Sequence, residues 1–129
     1  MEQTRKHSRK RDAILACLHA TDVHPSAEWI YRQLKPEIPD LSLGTVYRNL
    51  AYFADTGEIK CLGTVAGQER FDGDISPHSH FICKNCGAVL DCFEDENVIS
   101  AGPVAASLGV RITEIDIKYG GLCGECLKK

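Results

Sequence analysis

Residues 78–91 read His78-Ser79-His80-Phe81-Ile82-Cys83-Lys84-Asn85-Cys86-Gly87-Ala88-Val89-Leu90-Asp91. Two histidines, two cysteines and an aspartate fall in this one stretch, and all are metal-binding side chains. Cys83 and Cys86 stand between two short apolar runs. That pattern predicts strands at about His80–Ile82 and Val89–Phe93, joined by a Cys-x-x-Cys turn. A second pair, Cys123 and Cys126, follows after thirty-six intervening residues. Two residues between cysteines let both sulfurs reach one ion from a tight turn, and Gly87 and Gly124 supply the backbone freedom such turns need. Four thiolates in tetrahedral array suit a structural Zn²⁺. Two matched pairs argue against free buried cysteines. A redox dithiol would normally stand at a helix N-terminus, not at strand turns.

His78 and His80 lie two apart on a strand and so project from one face, with Asp91 on the partner strand. Asp72 lies just upstream, and His24 falls in a loop of the N-terminal half. Nitrogen and oxygen donors of this mix suit Mn²⁺, Fe²⁺ or Zn²⁺. Each also has a plainer reading, as a hydrogen-bonded histidine or a turn-capping aspartate.

Upstream, the apolar spacing changes to that of helices. Ala13, Ile14, Cys17 and Leu18 share one face of a helix that reads from Ser8 as N-cap. Ser26 caps a second helix, about Ala27–Lys35, stopped by Pro36 and Pro39. Ser42 caps a third, Leu43 to about Thr56, with Leu43, Val46, Leu50 and Phe53 in one stripe and Gly57 as its C′ residue. Thr45, Arg48, Asn49 and Tyr52 occupy the other face, with Tyr47 at its border. Alternation from Ile59, a turn at Ala66-Gly67-Gln68 and Glu69-Arg70-Phe71 predict a hairpin. Three short helices followed by a hairpin form a winged helix-turn-helix. The turn-rich segment 72–77 reads as a hinge. Beyond it, a helix is expected over Glu96–Leu108, disturbed by Gly102-Pro103, and a strand over Arg111–Tyr119.

At 129 residues the chain can hold one ordinary domain or two small ones. Its net charge of −3 is not that of a strongly basic nucleic-acid binder. Within residues 1–11, however, Arg5, Lys6, Arg9, Lys10 and Arg11 face a single acid, Glu2, which permits DNA contact. No apolar run is long enough to span a membrane, and no apolar segment follows the basic N-terminus as in a secretory signal. The expected compartment is the cytoplasm. Of the seven cysteines, Cys17, Cys61 and Cys92 stand outside the two pairs and read as small buried or half-buried residues.

The chain resembles the ferric uptake regulator (Fur) family of metal-dependent bacterial repressors. The resemblance spans nearly the whole chain. It rests on His24-Pro25-Ser26-Ala27 with Ile30-Tyr31, on Ser42 to Leu50, on Arg70-Phe71-Asp72, on His78 to Gly87, and on the last Cys-x-x-Cys. It implies an α+β chain: a winged-helix DNA-binding domain over residues 1–71, then a small α/β dimerisation domain over residues 72–129, with an antiparallel sheet and a four-cysteine zinc site. It implies structural zinc on Cys83, Cys86, Cys123 and Cys126, and a regulatory Fe²⁺ or Mn²⁺ on His24, Asp72, His78, His80 and Asp91. Aspartate at 72 and 91 makes the chain most similar to the peroxide-stress branch. There, iron at the second site reacts with hydrogen peroxide and a ligand histidine, matching His24 or His78, is oxidised, releasing the dimer from DNA. The stretch Lys6 to Arg11 departs from the Arg-x-Thr-x-Gln-Arg pattern of relatives, and the helix that many relatives place before Arg5 is expected to be missing or reduced.

These expectations describe a homodimeric repressor on double-stranded DNA, with an A·T-rich palindromic operator, and not an enzyme. The DNA-contact candidates are Ser42, Thr45, Tyr47, Arg48 and Asn49. Arg48 suits guanine or phosphate, Asn49 adenine, and Tyr47 a thymine methyl or phosphate. The alternatives are a regulator sensing iron, manganese or zinc without oxidation, a small metalloenzyme using the His-x-His site, and a metal-stabilised interaction module.

Overall fold

The structure is a computed structural model that describes residues 2–95 and 101–129. It divides into two compact units, residues 1–75 and residues 76–129.

The first unit opens with three helices: α1 (Glu2–His19), α2 (Ala27–Leu34) and α3 (Leu43–Asp55). Their apolar stripes meet in one core of Ile14, Leu18, Ala27, Ile30, Val46, Leu50 and Phe53, closed by Ile38, Leu41, Ile59 and Phe71. Burying each large side chain contributes about 1.5–3 kcal/mol, so the stripe spacing decides how the helices pack. Both serine caps form: Ser26 Oγ accepts from Trp29 N at 3.2 Å, and Ser42 Oγ from Thr45 N at 3.1 Å. Gly57 ends α3 at φ 80°, in the left-handed region that glycine tolerates. Ser8 is not an N-cap, because α1 already runs from Glu2. An N-cap needs non-helical backbone, whereas Arg5, Lys6, Arg9 and Lys10 are good helix formers that carry the helix through Ser8.

The wing follows as β1 (Lys60–Val65) and β2 (Gln68–Asp72), paired antiparallel. Ala66 and Gly67 both take positive φ, as a two-residue I′ turn requires. A register shift between Cys61 and Gly63 bulges β1. Asp72, assigned to the second domain by sequence, is the last residue of β2 and belongs to the first unit. Its pairing with Lys60 keeps it on the wing, and the unit boundary falls after Ile75.

The second unit contains β3 (Ser79–Cys83), β4 (Val89–Cys92), α4 (Ala101–Leu108), β5 (Lys118–Gly121) and α5 (Gly124–Leu127). β3 and β4 form the expected antiparallel pair, and β5 adds to the other edge of β3 in parallel. The first part of the helix expected over Glu96–Leu108 lies outside the described residues. The strand expected over Arg111–Tyr119 is not formed along its length: only Lys118–Gly121 joins the sheet, anchored ahead by His80 N donating to Ile117 O at 3.1 Å. Alternation reports which side chains are apolar, but a strand also needs a neighbouring backbone, and in the register His80↔Lys118 the residues before Ile117 run past the start of β3. Gly124 needs no special freedom, for it opens the short helix α5 instead of a turn. The second Cys-x-x-Cys therefore lies at a helix start, with Cys123 as N-cap, and not at a strand turn.

Candidate metal centres

Cys83 ends β3, and Cys86 follows in a turn whose Gly87 takes φ 78° and donates its N–H to Cys83 O at 3.0 Å. Lys84 N donates to Gly121 O at 2.7 Å, which brings the segment before Cys123 alongside that turn. All four sulfurs lie within 4.8 Å of one another, with Cys83–Cys126 at 3.6 Å and Cys86–Cys123 at 3.7 Å. A tetrahedron of Zn–S bonds near 2.3 Å has S–S edges of about 3.8 Å. The donor set thus has the chemistry and the edge length of a structural zinc site.

The electrostatics point the same way. Backbone N–H groups of Cys86 and Cys123, each 3.4 Å from Cys83 Sγ, pull that thiol down to about 6. At Cys126 the Asn85 amide, 3.2 Å away, favours the thiolate. Its effect is outweighed by hydrogen bonding with Cys123, by burial, and by Cys83 and Cys86, and the thiol is pushed up to about 11. Four clustered sulfurs resist full ionisation until a cation neutralises them. Asn85 was not singled out by sequence, since the residues between paired cysteines carry no spacing signal.

Nitrogen and oxygen donors occur in both units. In the second, the β3–β4 register sets His80 opposite Asp91. Asp91 Oδ1 lies 3.1 Å from His78 Nε2 and 3.2 Å from His80 Nε2. His78 Nδ1 lies 2.6 Å from Ser76 O, and because a carbonyl only accepts, Nδ1 carries the proton. With its Nδ1 so engaged, His78 turns Nε2 toward the carboxylate, where a cation could be held between them. Phe93 stacks on the His78 ring at 4.4 Å and holds its plane. Neither Ser76 nor Phe93 was legible as a support, because one acts through its backbone and the other lies beyond the paired strand.

In the first unit, His24 Nε2 lies 3.6 Å from Asp72 Oδ2, and both residues are buried. His24 sits at φ 55°, left-handed backbone for a β-carbon-bearing residue that also precedes Pro25. Such a conformation costs on the order of 1–3 kcal/mol and persists only where neighbours impose it. Arg70 donates Nε to His24 O and Nη2 to Val23 O, the latter at 2.6 Å, and Phe71 N donates to Pro25 O at 3.0 Å.

On α3, Tyr47 and Arg48 are exposed, whereas Thr45 and Asn49 are half-buried. Ser42 Oγ contacts Thr45 Oγ1 at 2.9 Å, and Arg48 Nη2 donates to the same oxygen at 3.1 Å. The Asn49 amide is engaged at both ends: Nδ2 donates to Thr45 O at 2.9 Å, and Oδ1 accepts from Arg11 Nε at 3.3 Å. The Arg11 guanidinium also lies 4.5 Å over the Tyr52 ring. Of the remaining cysteines, Cys17 and Cys61 are half-buried as expected, but Cys92 is exposed.

A model of the ferric uptake regulator family matches residues 2–119. The peroxide operon regulator of Bacillus subtilis is 36% identical over 121 residues, covering 93% of this chain and 83% of the relative. The fold matches the Campylobacter jejuni peroxide stress regulator at a TM-score of 0.85 and 23% identity, over 97% of this chain and 94% of that one. It also matches a zinc uptake regulator complexed with zinc and DNA, at a TM-score of 0.67 and 25% identity, over 92% of this chain and 81% of that one.

Proposed function

The chain belongs to the ferric uptake regulator family, and on that premise we propose that it is a metal-dependent repressor that senses peroxide through oxidation of a histidine ligand. The observation that carries this reading is the separation of donors by type. Four thiols stand at zinc spacing in one cluster, and His78 and His80 aim Nε2 at one oxygen of Asp91. Soft and harder donors select different metals.

In this reading Cys83, Cys86, Cys123 and Cys126 hold structural Zn²⁺. His24 and Asp72 of the first unit and His78, His80 and Asp91 of the second bind one regulatory Fe²⁺ or Mn²⁺. Ferrous iron, when bound, would supply electron transfer to hydrogen peroxide; one peroxide oxygen would end on a ring carbon of His24 or His78 and the other would leave as water. An oxidised imidazole is a poorer ligand, so the chain releases the ion. An ion that takes ligands from both units restrains them, and in a homodimer that restraint fixes the spacing of two recognition helices on a palindromic, A·T-rich operator. Metal and DNA affinity are then reciprocally linked. Tyr47 and Arg48, exposed on α3, make the DNA contacts, with Ser42, Thr45 and Asn49 beside Arg48. The second unit serves dimerisation, the compartment is the cytoplasm, and the chain has no enzymatic turnover.

The test loads the zinc protein with Fe²⁺ or Mn²⁺, adds hydrogen peroxide, and measures operator binding together with the mass of the peptides holding His24 and His78. Loss of binding in the iron form alone, with one added oxygen on either histidine, is expected. Indifference of both forms would make the chain a sensor of metal concentration only. A metal-independent interaction with DNA would end the two-metal scheme.

A further inference from the structure

We propose that Arg70 is a positioning residue for the second metal site, holding His24 in the left-handed backbone conformation that directs its imidazole at Asp72. The inference rests on the reading of His24 and Asp72 as metal ligands and adds to it a residue that binds no metal.

The argument begins with strand parity. Gln68, Arg70 and Asp72 alternate along β2 and share one of its faces. That face meets the loop and helix start at residues 23–28 at three levels. Gln68 Nε2 donates to Glu28 Oε2 at 3.0 Å, Arg70 donates to the carbonyls of Val23 and His24, and Asp72 Oδ2 faces His24 Nε2 at 3.6 Å. The guanidinium is a rigid planar fork, which suits two successive carbonyls and holds both of their peptide planes in place. Those planes, Val23–His24 and His24–Pro25, flank the His24 α-carbon, so their orientations together set its φ and ψ. Phe71 N, bonded to Pro25 O at 3.0 Å, fixes the other side. One strand therefore supplies both the carboxylate and the clamp that presents the histidine to it.

Without the fork, His24 loses the side-chain clamp on the two carbonyls flanking its α-carbon, and φ 55° becomes less favoured. A residue before proline prefers extended backbone, and that change swings the imidazole away from Asp72. Lysine at 70 keeps the charge but not the fork, so it restores the clamp only in part.

The experiment titrates full-length, zinc-loaded protein with Mn²⁺. It compares the unaltered chain with Arg70→Met, Arg70→Lys, His24→Ala and the double variant Arg70→Met with His24→Ala. Groups that orient a metal ligand typically carry about 10- to 100-fold in affinity, and a loss of that size is expected for Arg70→Met, with Arg70→Lys between it and the unaltered chain. In the His24→Ala background, Arg70→Met is expected to change nothing further, because its route to the metal is gone. Full affinity in Arg70→Met, or losses that add in the double variant, overturns the proposal while the ligand assignment stands. Full affinity in His24→Ala overturns the ligand assignment and the proposal with it. Hydrogen exchange of the metal-free protein gives a second readout. Arg70→Met should speed exchange at residues 22–26 only, and general loss of protection across β1 and β2 counts against a positioning role.

Discussion

In the first unit Ile14, Leu18, Ile30, Leu41, Val46, Leu50 and Phe53 are each no more than 1% exposed. In the second, among the described residues, only Ser79, His80 and Cys83 are buried to that degree. The first unit closes on hydrocarbon and the second on metal-binding side chains. Several of the second unit's larger apolar residues instead face outward: Leu90, Phe93, Val104, Leu108, Leu122 and Leu127 are at least half exposed. A unit of 54 residues with few fully buried apolar side chains among its described residues needs a staple, and the four cysteines supply one. The outward apolar residues suit a second copy of the chain in the proposed homodimer.

The largest expected effect breaks the staple. Structural zinc contributes on the order of 10–16 kcal/mol in small zinc-dependent folds. Chelation, or Cys126→Ser, should therefore abolish hydrogen-exchange protection across residues 76–129 while α1–α3 stay protected. A second unit that keeps its protection without zinc would refute the contrast. Next is the hydrocarbon side: Phe53→Ala should cost about 3–5 kcal/mol in urea unfolding of the first unit, with zinc content unchanged. Zinc loss in that variant would mean that the two units do not stand separately.

Acid sharpens the comparison at smaller scale. With Cys83 drawn down to about 6 and Cys126 pushed up to about 11, these two thiols titrate differently. Cys83 is the thiol that ionises more readily, and zinc must displace the proton of Cys126. Zinc affinity should fall about tenfold per pH unit from Cys126 alone, and more steeply below about pH 6 as Cys83 also protonates. Competition titrations at pH 8, 7 and 5.5 check the slope; a pH-independent affinity would contradict it. The smallest effect is a cap. Ser42→Ala should cost the first unit about 1 kcal/mol and leave the zinc site untouched, measured by thermal unfolding with zinc analysis.

The legible parts were those governed by local rules. The stripe Val46, Leu50 and Phe53 predicted the buried face of α3 because helical period and burial coincide. Ser26 and Ser42 were readable as caps because their partners lie three residues away. The His80–Asp91 pairing followed from two strands and a tight turn. The misreadings have one cause. Ser8 looked like a cap and Arg111–Ile117 like a strand because the residue types fit, yet a cap depends on backbone conformation and a strand on a neighbour. Arg70 passed unnoticed as a clamp because its acceptors are carbonyls 46 and 47 residues away, and a carbonyl leaves no mark in sequence.

By itself, the sequence determined which atoms were available and how the local elements would begin and end. Cysteine spacing set the four sulfurs, helical period set the core of the first unit, and the histidines and aspartates set the second donor type. Tertiary structure decided which donors face one another and how firmly. It placed Asp72 on the wing, added β5 in parallel to β3, fixed the His78 proton on Nδ1 through Ser76, and held His24 in a conformation its own sequence disfavours. The division follows from range. Periodicity, capping and turn chemistry act over a few residues, whereas a ligand's direction depends on backbone groups brought beside it from distant parts of the chain.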